Sequence, residues 1–107
     1  MTDEIVVLVT VPSREEGERI ADILVTERLA ACVNVIGPVR SVYRWEGRVQ
    51  RDDEHLLVIK THITCYAAVE ARVLATHPYD VPEVIALPIQ AGSEAYLRWV
   101  RSETRDT

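Results

Sequence analysis

The segment His77-Pro78-Tyr79-Asp80-Val81-Pro82-Glu83 gathers more chemically capable side chains than any other stretch of the chain. It sets an imidazole, a phenol and two carboxyls on a backbone stiffened by two prolines. Stiff loops that hold polar groups in place often bind ligands. The same residues also suit a plain structural role, a rigid helix-to-strand connection with His77 capping the negative end of its helix. A metal site would draw on His55, His62, His77, Cys32, Cys65 and nearby carboxylates. None of these stands at i, i+4 spacing with another His or Cys, so a metal site would have to be assembled by the fold or between subunits. Lys60 is the one lysine beside eleven arginines and sits at the end of an apolar run. It reads either as a pocket cation or as a side chain whose stem lies on apolar surface while its head reaches water.

Patterns of catalysis are missing. The glycines at 17, 37, 47 and 92 are dispersed and form no phosphate-binding loop. The chain carries no G-x-S-x-G elbow. One catalytic arrangement stays open, Cys32 with a histidine across an interface, but a thiol in a buried strand is usually inert. The expectation is a protein that is not an enzyme.

The net charge of −5 disfavours a nucleic-acid binder, which normally shows a basic balance. Arg40, Arg44, Arg48 and Arg51 lie near Tyr43 and Trp45, but Glu46, Asp52, Asp53 and Glu54 cancel most of that charge, so ion pairs between subunits are the better reading. The longest apolar run, Ile5 to Val9, is far too short to span a bilayer. Asp3 and Glu4 do not resemble the start of a secretory signal. The expectation is a cytoplasmic protein with no membrane partner. Cys32 and Cys65 fit no C-x-x-C or zinc spacing and read as thiols, with a disulfide between them left open.

The elements that must position these residues follow from periodicity. Its 107 residues make one domain, 48% hydrophobic and 27% charged, as globular chains are. Ile5 to Val9 predicts a strand. Ser13 with Glu16 forms a capping box opening a helix to about Leu29, with Ile20, Ala21, Ile23 and Leu24 as its apolar stripe. A long strand runs from Cys32 to about Trp45, with an edge or bulge expected at Pro38. Glu46-Gly47 predicts a tight turn, and a second long strand follows from Arg48 to Thr61. Thr64 would cap a helix to about Thr76, with Tyr66, Val69 and Val73 on one face. Val84 to Leu87 predicts a fourth strand. Gly92-Ser93 starts a last helix with Leu97 and Val100 inside, and the tail from Ser102 reads as frayed. The order is an α+β, ferredoxin-like split β-α-β-β-α-β with a C-terminal helix and an antiparallel sheet. Right-handed crossovers put both main helices on one sheet face.

That arrangement calls for a partner. Residues 5–9, 56–59 and 84–87 are apolar at consecutive positions, so both sheet faces want burial. The crossover helices cover only one. The hairpin is also long: fourteen extended residues span roughly 45 Å at about 3.3 Å each. A domain of this size has a radius of gyration of only about 13 Å. The hairpin should project, and pairing its edges with a neighbour removes an aggregation hazard.

Several multi-residue segments, in order, resemble the CutA family, the divalent-cation-tolerance proteins. They are Thr10-Val11-Pro12, Leu29-Ala30-Ala31-Cys32-Val33-Asn34, Tyr43-Arg44-Trp45-Glu46-Gly47, Ile59-Lys60-Thr61 and the loop from His77 to Glu83. The likeness covers about Val6 to Val100. It implies a homotrimer with sheets facing inward and hairpins pairing between neighbours. It also implies a role in the response to divalent metal ions, copper among them, with His77 and Glu83 as candidate ligands of a weakly held metal. Copper-binding members carry a strand-one cysteine and two consecutive histidines before Pro-Tyr. Here the corresponding segments read Leu8-Val9-Thr10 and Thr76-His77, so only one histidine matches. The fold is also similar to that of the PII signalling proteins. This suggests an alternative, a small-ligand sensor or scaffold whose inter-subunit cleft uses Trp45, Lys60, Tyr79, Glu83 and Cys32 and takes a small anion.

Overall fold

The computed structural model describes residues 2–105. Strand β1 (Glu4–Val11) leads to helix α1 (Arg14–Thr26), then β2 (Cys32–Trp45) and β3 (Arg48–His62). A 3-10 turn (Ile63–Cys65) opens helix α2 (Tyr66–Thr76), followed by β4 (Val84–Pro88) and α3 (Glu94–Glu103). The four strands form one antiparallel sheet in the order β2-β3-β1-β4. This is the predicted split βαβ arrangement, with both β1 and β3 central.

The continuous apolar runs sort by parity. Ile5, Val7, Val9 and Val11 are buried, together with Leu57 and Ile59 of β3. They meet Ile20 and Leu24 of α1 and Val69 and Val73 of α2 in a single cluster. The opposite face carries Val6, Leu8, Leu56 and Val58, which are half-buried, and Ile36, Ile85 and Leu87, which are 47–49% exposed. Helix α3 covers only one end of this open face. There Arg101 meets His62, and Tyr96 approaches Cys32. The expected burial of both faces is therefore half met within one chain.

Local chemistry explains the element ends. Ser13 caps α1 by accepting the Glu16 N–H at 3.2 Å, while the Glu16 carboxylate turns to Arg19. Helix α1 stops at Thr26 rather than near Leu29. Arg28 takes a left-handed φ of 60°, which folds Leu29 and Ala30 back so that both their N–H groups reach the Leu24 carbonyl. Ahead of α2, the His62 ring, through Nδ1, accepts the Thr64 N–H at 3.3 Å, so the histidine acts as the cap of the 3-10 turn. Ser93 caps α3, and Val100 is fully buried. The expected fraying after Ser102 is not found through Arg105. Thr104 is buried, the Arg105 N–H donates to the Arg28 carbonyl at 2.8 Å, and the Cys65 thiol donates to the Arg105 carbonyl. Residues 106 and 107 of that tail lie outside the described residues.

The β2–β3 hairpin closes through Glu46 (φ 51°) and Gly47 (φ 78°), with Trp45 opposite Arg48. Two positive φ values give the turn whose twist matches the strands. Pro38 sits on the edge strand inside a bulge: Ile36 pairs with Leu56, but Val39 pairs with Glu54. The hairpin carries the molecule to 44 Å along its longest axis against 25 and 21 Å across.

Candidate functional site

The bulge decides which side chains reach the open face beyond it. Before it, Cys32, Asn34 and Ile36 lie opposite Lys60, Val58 and Leu56. Past it, Val39, Ser41, Tyr43 and Trp45 lie opposite Glu54, Asp52, Gln50 and Arg48. Directly opposed residues of an antiparallel pair share a face. One extra residue thus turns Tyr43 and Trp45 onto the same face as Leu56 and Val58.

The other wall is the loop from His77 to Glu83, and His77 holds it in place. Its backbone N–H ends α2 on the Val73 carbonyl at 2.8 Å. Its ring Nε2 lies 2.7 Å from the Thr10 carbonyl, which can only accept, so Nε2 carries the proton. Nδ1 then accepts the Tyr79 N–H at 3.1 Å. The His77 and Tyr79 rings pack at 4.7 Å between centroids, tilted by 51°. The Tyr79 hydroxyl donates to Glu54 Oε2 at 2.9 Å, tying loop to hairpin. Between the two walls lies a groove of about 670 Å³, lined by Thr10 of β1, by Ser41, Val42, Tyr43, Trp45 and Glu54 of the hairpin, and by Pro78, Tyr79, Asp80, Val81 and Glu83 of the loop.

The groove is acidic and aromatic. Glu54 is only 7% exposed. The Tyr79 phenol is pushed well above its ordinary range, first by burial and then by its bond to Glu54. The Tyr43 hydroxyl donates to Asp52 at 2.5 Å, and that bond raises the pKa of Tyr43. Both phenols therefore stay protonated donors at neutral pH. Among the described residues, no Lys, Arg or His lines the groove.

The sequence candidates divide between two ends of the sheet. Trp45, Tyr79 and Glu83 come together in the groove. Lys60 does not join them: it faces Val6 and Cys32 in register, and its Nζ donates to Asn34. Lys60 stands twelve residues along β3 from Arg48, the partner of Trp45. That is about 40 Å of extended chain. Cys32 lies at the same far end, and Cys32 and Cys65 are both thiols. A cleft that unites Lys60 or Cys32 with Trp45 would need a neighbouring subunit. Of the hairpin arginines, Arg40 pairs within the chain with Asp53 at 3.0 Å.

A resident copper ion held by His77 and Glu83 does not fit this arrangement. Both nitrogens of His77 are committed to hydrogen bonds, and a metal at Nδ1 would displace the Tyr79 N–H. Among the described residues, no three His, Cys, Asp or Glu side chains converge as metal ligands. The residues that sequence reasoning undervalued are Glu54 and Tyr43. No alternation singles out Glu54, because Gln50 to His55 are polar at every position and the strand turns apolar only at Leu56.

A family model described as CutA1 divalent ion tolerance protein matches residues 5–103. The chain is 54% identical over 102 residues to the chloroplastic protein CutA of Arabidopsis thaliana, covering 95% of this chain and 56% of that protein. It is 52% identical over 101 residues to the divalent-cation tolerance protein CutA of Thermus thermophilus, covering 94% and 98%. The chain thus spans little more than half of the plant relative and nearly all of the bacterial one. The crystal structure of CutA1 from Oryza sativa superposes with a TM-score of 0.95 at 52% identity, covering 97% of this chain and 95% of that one. No helix among the described residues is long and apolar enough to cross a membrane.

Proposed function

The chain belongs to the CutA1 divalent ion tolerance family, and on that premise we propose that it is a homotrimeric, non-catalytic, cytoplasmic protein of divalent-cation tolerance. The observation that carries the reading is the likeness to the Thermus protein of that description, which extends over nearly the full length of both chains. The open sheet face supports the assembly: Ile36, Ile85 and Leu87 stay about half exposed, and a neighbour would remove that apolar area from water. Because His77 is committed to the loop, the metal contact is weak and falls to groove carboxylates such as Glu83 and Asp80 rather than to a preformed coordination sphere. A PII-like reading, in which the assembly senses a small molecule, is favoured by the groove, whose volume falls in the usual range for ligand sites.

Two measurements test the proposal. Native mass spectra should show three copies, with copper(II) lost on dilution. A host lacking the protein should grow less well in raised copper(II) and recover when the chain is restored. A monomeric mass would refute the assembly. Growth unchanged across a series of divalent metals would refute the tolerance role.

A further inference from the structure

Resting on the small-ligand reading just given, we propose that the groove binds an organic ammonium cation. Its charge is met by Glu54, Asp80 and Glu83, and its alkyl groups by the rings of Tyr43, Trp45 and Tyr79.

Three observations lead there. The first is sign. Each chain brings carboxyl groups to its groove and, among the described residues, no basic side chain, so an anion would find no partner in the chain that forms the groove. The second is dispersion of that charge. Glu54 belongs to the hairpin, Asp80 and Glu83 to the loop, and no three potential ligands converge among the described residues. A hard divalent ion needs several oxygens at roughly 2.0–2.6 Å. A diffuse acidic field suits a large, weakly hydrated cation instead. The third is the aromatic lining. Ring faces attract cations, and quaternary ammonium groups most characteristically. The hydroxyls of Tyr43 and Tyr79 each donate to a carboxylate, which pushes electron density into the ring and strengthens that attraction. A groove of about 670 Å³ is also far larger than a metal ion requires.

The test reads Trp45 fluorescence in the assembled protein. The chain has two tryptophans, so a Trp99→Phe background leaves Trp45 as the only reporter. The probes are choline and its uncharged isostere 3,3-dimethylbutan-1-ol, titrated at constant ionic strength. Choline should give a saturable change, with the neutral isostere binding about tenfold more weakly, as the loss of a cation–π contact implies. Glu83→Gln, an exposed position, should weaken choline about threefold with no change in melting temperature; Glu54→Gln should weaken it more, provided it folds. Equal affinity for choline and the isostere overturns the proposal, as does the absence of saturation by choline. A thermal-shift screen of metabolites separates the two readings. If small anions stabilise the protein while choline does not, the ligand class is wrong and the sensor reading stands. If no small molecule does, both fall.

Discussion

Replacing Tyr79 by Phe removes one hydroxyl and leaves the ring in place, so it isolates the bond that ties the loop to the hairpin. That bond, at 2.9 Å, ends on a glutamate that is 7% exposed. Hydrogen bonds to charged groups contribute about 1.5–3 kcal/mol. Tyr79 itself is 38% exposed, so water can partly replace its hydroxyl, and the low end of the range, about 1.5 kcal/mol, is the expected loss. With a urea dependence of about 1.5 kcal/mol per molar, the unfolding midpoint should fall by about 1 M. The assay is urea unfolding followed by circular dichroism at one fixed protein concentration, because assembly makes stability concentration-dependent. Glu54→Gln completes a double-mutant cycle, and the two changes should couple by about 1 kcal/mol. A Tyr79→Phe protein within about 0.3 kcal/mol of the parent, or effects that simply add, would refute the view that this bond fixes the loop.

The Arg72 guanidinium grips Glu27 through three contacts of 2.8–3.1 Å and holds that carboxyl below its ordinary pKa of 4.5. A carboxyl lowered on folding stabilises the protein fully above its unfolded pKa and loses that contribution as pH falls through the folded value. The melting-temperature gap between the parent and Arg72→Met should therefore be steady from pH 7 to 5 and close towards pH 3; a constant gap would show that the ion pair is not the cause. Gly37→Ala would set a methyl carbon 2.6 Å from Cδ2 of the His55 ring, whose buried Nδ1 has no hydrogen-bond partner among the described residues, so thermal melts should show a loss of about 1–3 kcal/mol. Adding His55→Ala should absorb the clash, and a Gly37→Ala protein as stable as the parent would contradict the contact.

How far the sequence could be read depended on whether a feature was local. The Ser13 cap, the Glu46-Gly47 turn and the strand runs rest on neighbours in the chain, and each stands where periodicity put it. The end of α1 was misplaced because the apolar pattern continues through Leu29. The chain turns at Arg28, a residue with no conspicuous preference for a left-handed φ. The groove was half visible. Tyr79 and Glu83 announce themselves through the proline-rich loop, but the wall opposite depends on a one-residue offset that composition does not reveal. His77 looked like a ligand because of its residue type, and only its two hydrogen bonds, one to a strand 67 positions earlier, show it serving as a brace. Lys60 and Trp45 share a strand pair yet stand at opposite ends of it.

The offset at Pro38 also limits how this chain can change in length. Near the sheet, paired positions on the two long strands sum to 92, as Ile36 with Leu56 does; beyond the bulge they sum to 93, as Trp45 with Arg48 does. Losing one of the two residues that oppose His55 while keeping the inner pairing would turn the bulge into regular pairing and leave Val39 opposite Glu54, so Ser41, Tyr43 and Trp45 would keep their face. Losing both would set Arg40 opposite Glu54 and bring Arg40 and Arg44 to the groove face, turning a cation-accepting surface into an anion-accepting one. Wherever the groove is under selection, divergence in this hairpin should therefore tolerate the loss of one residue at the bulge but not of two.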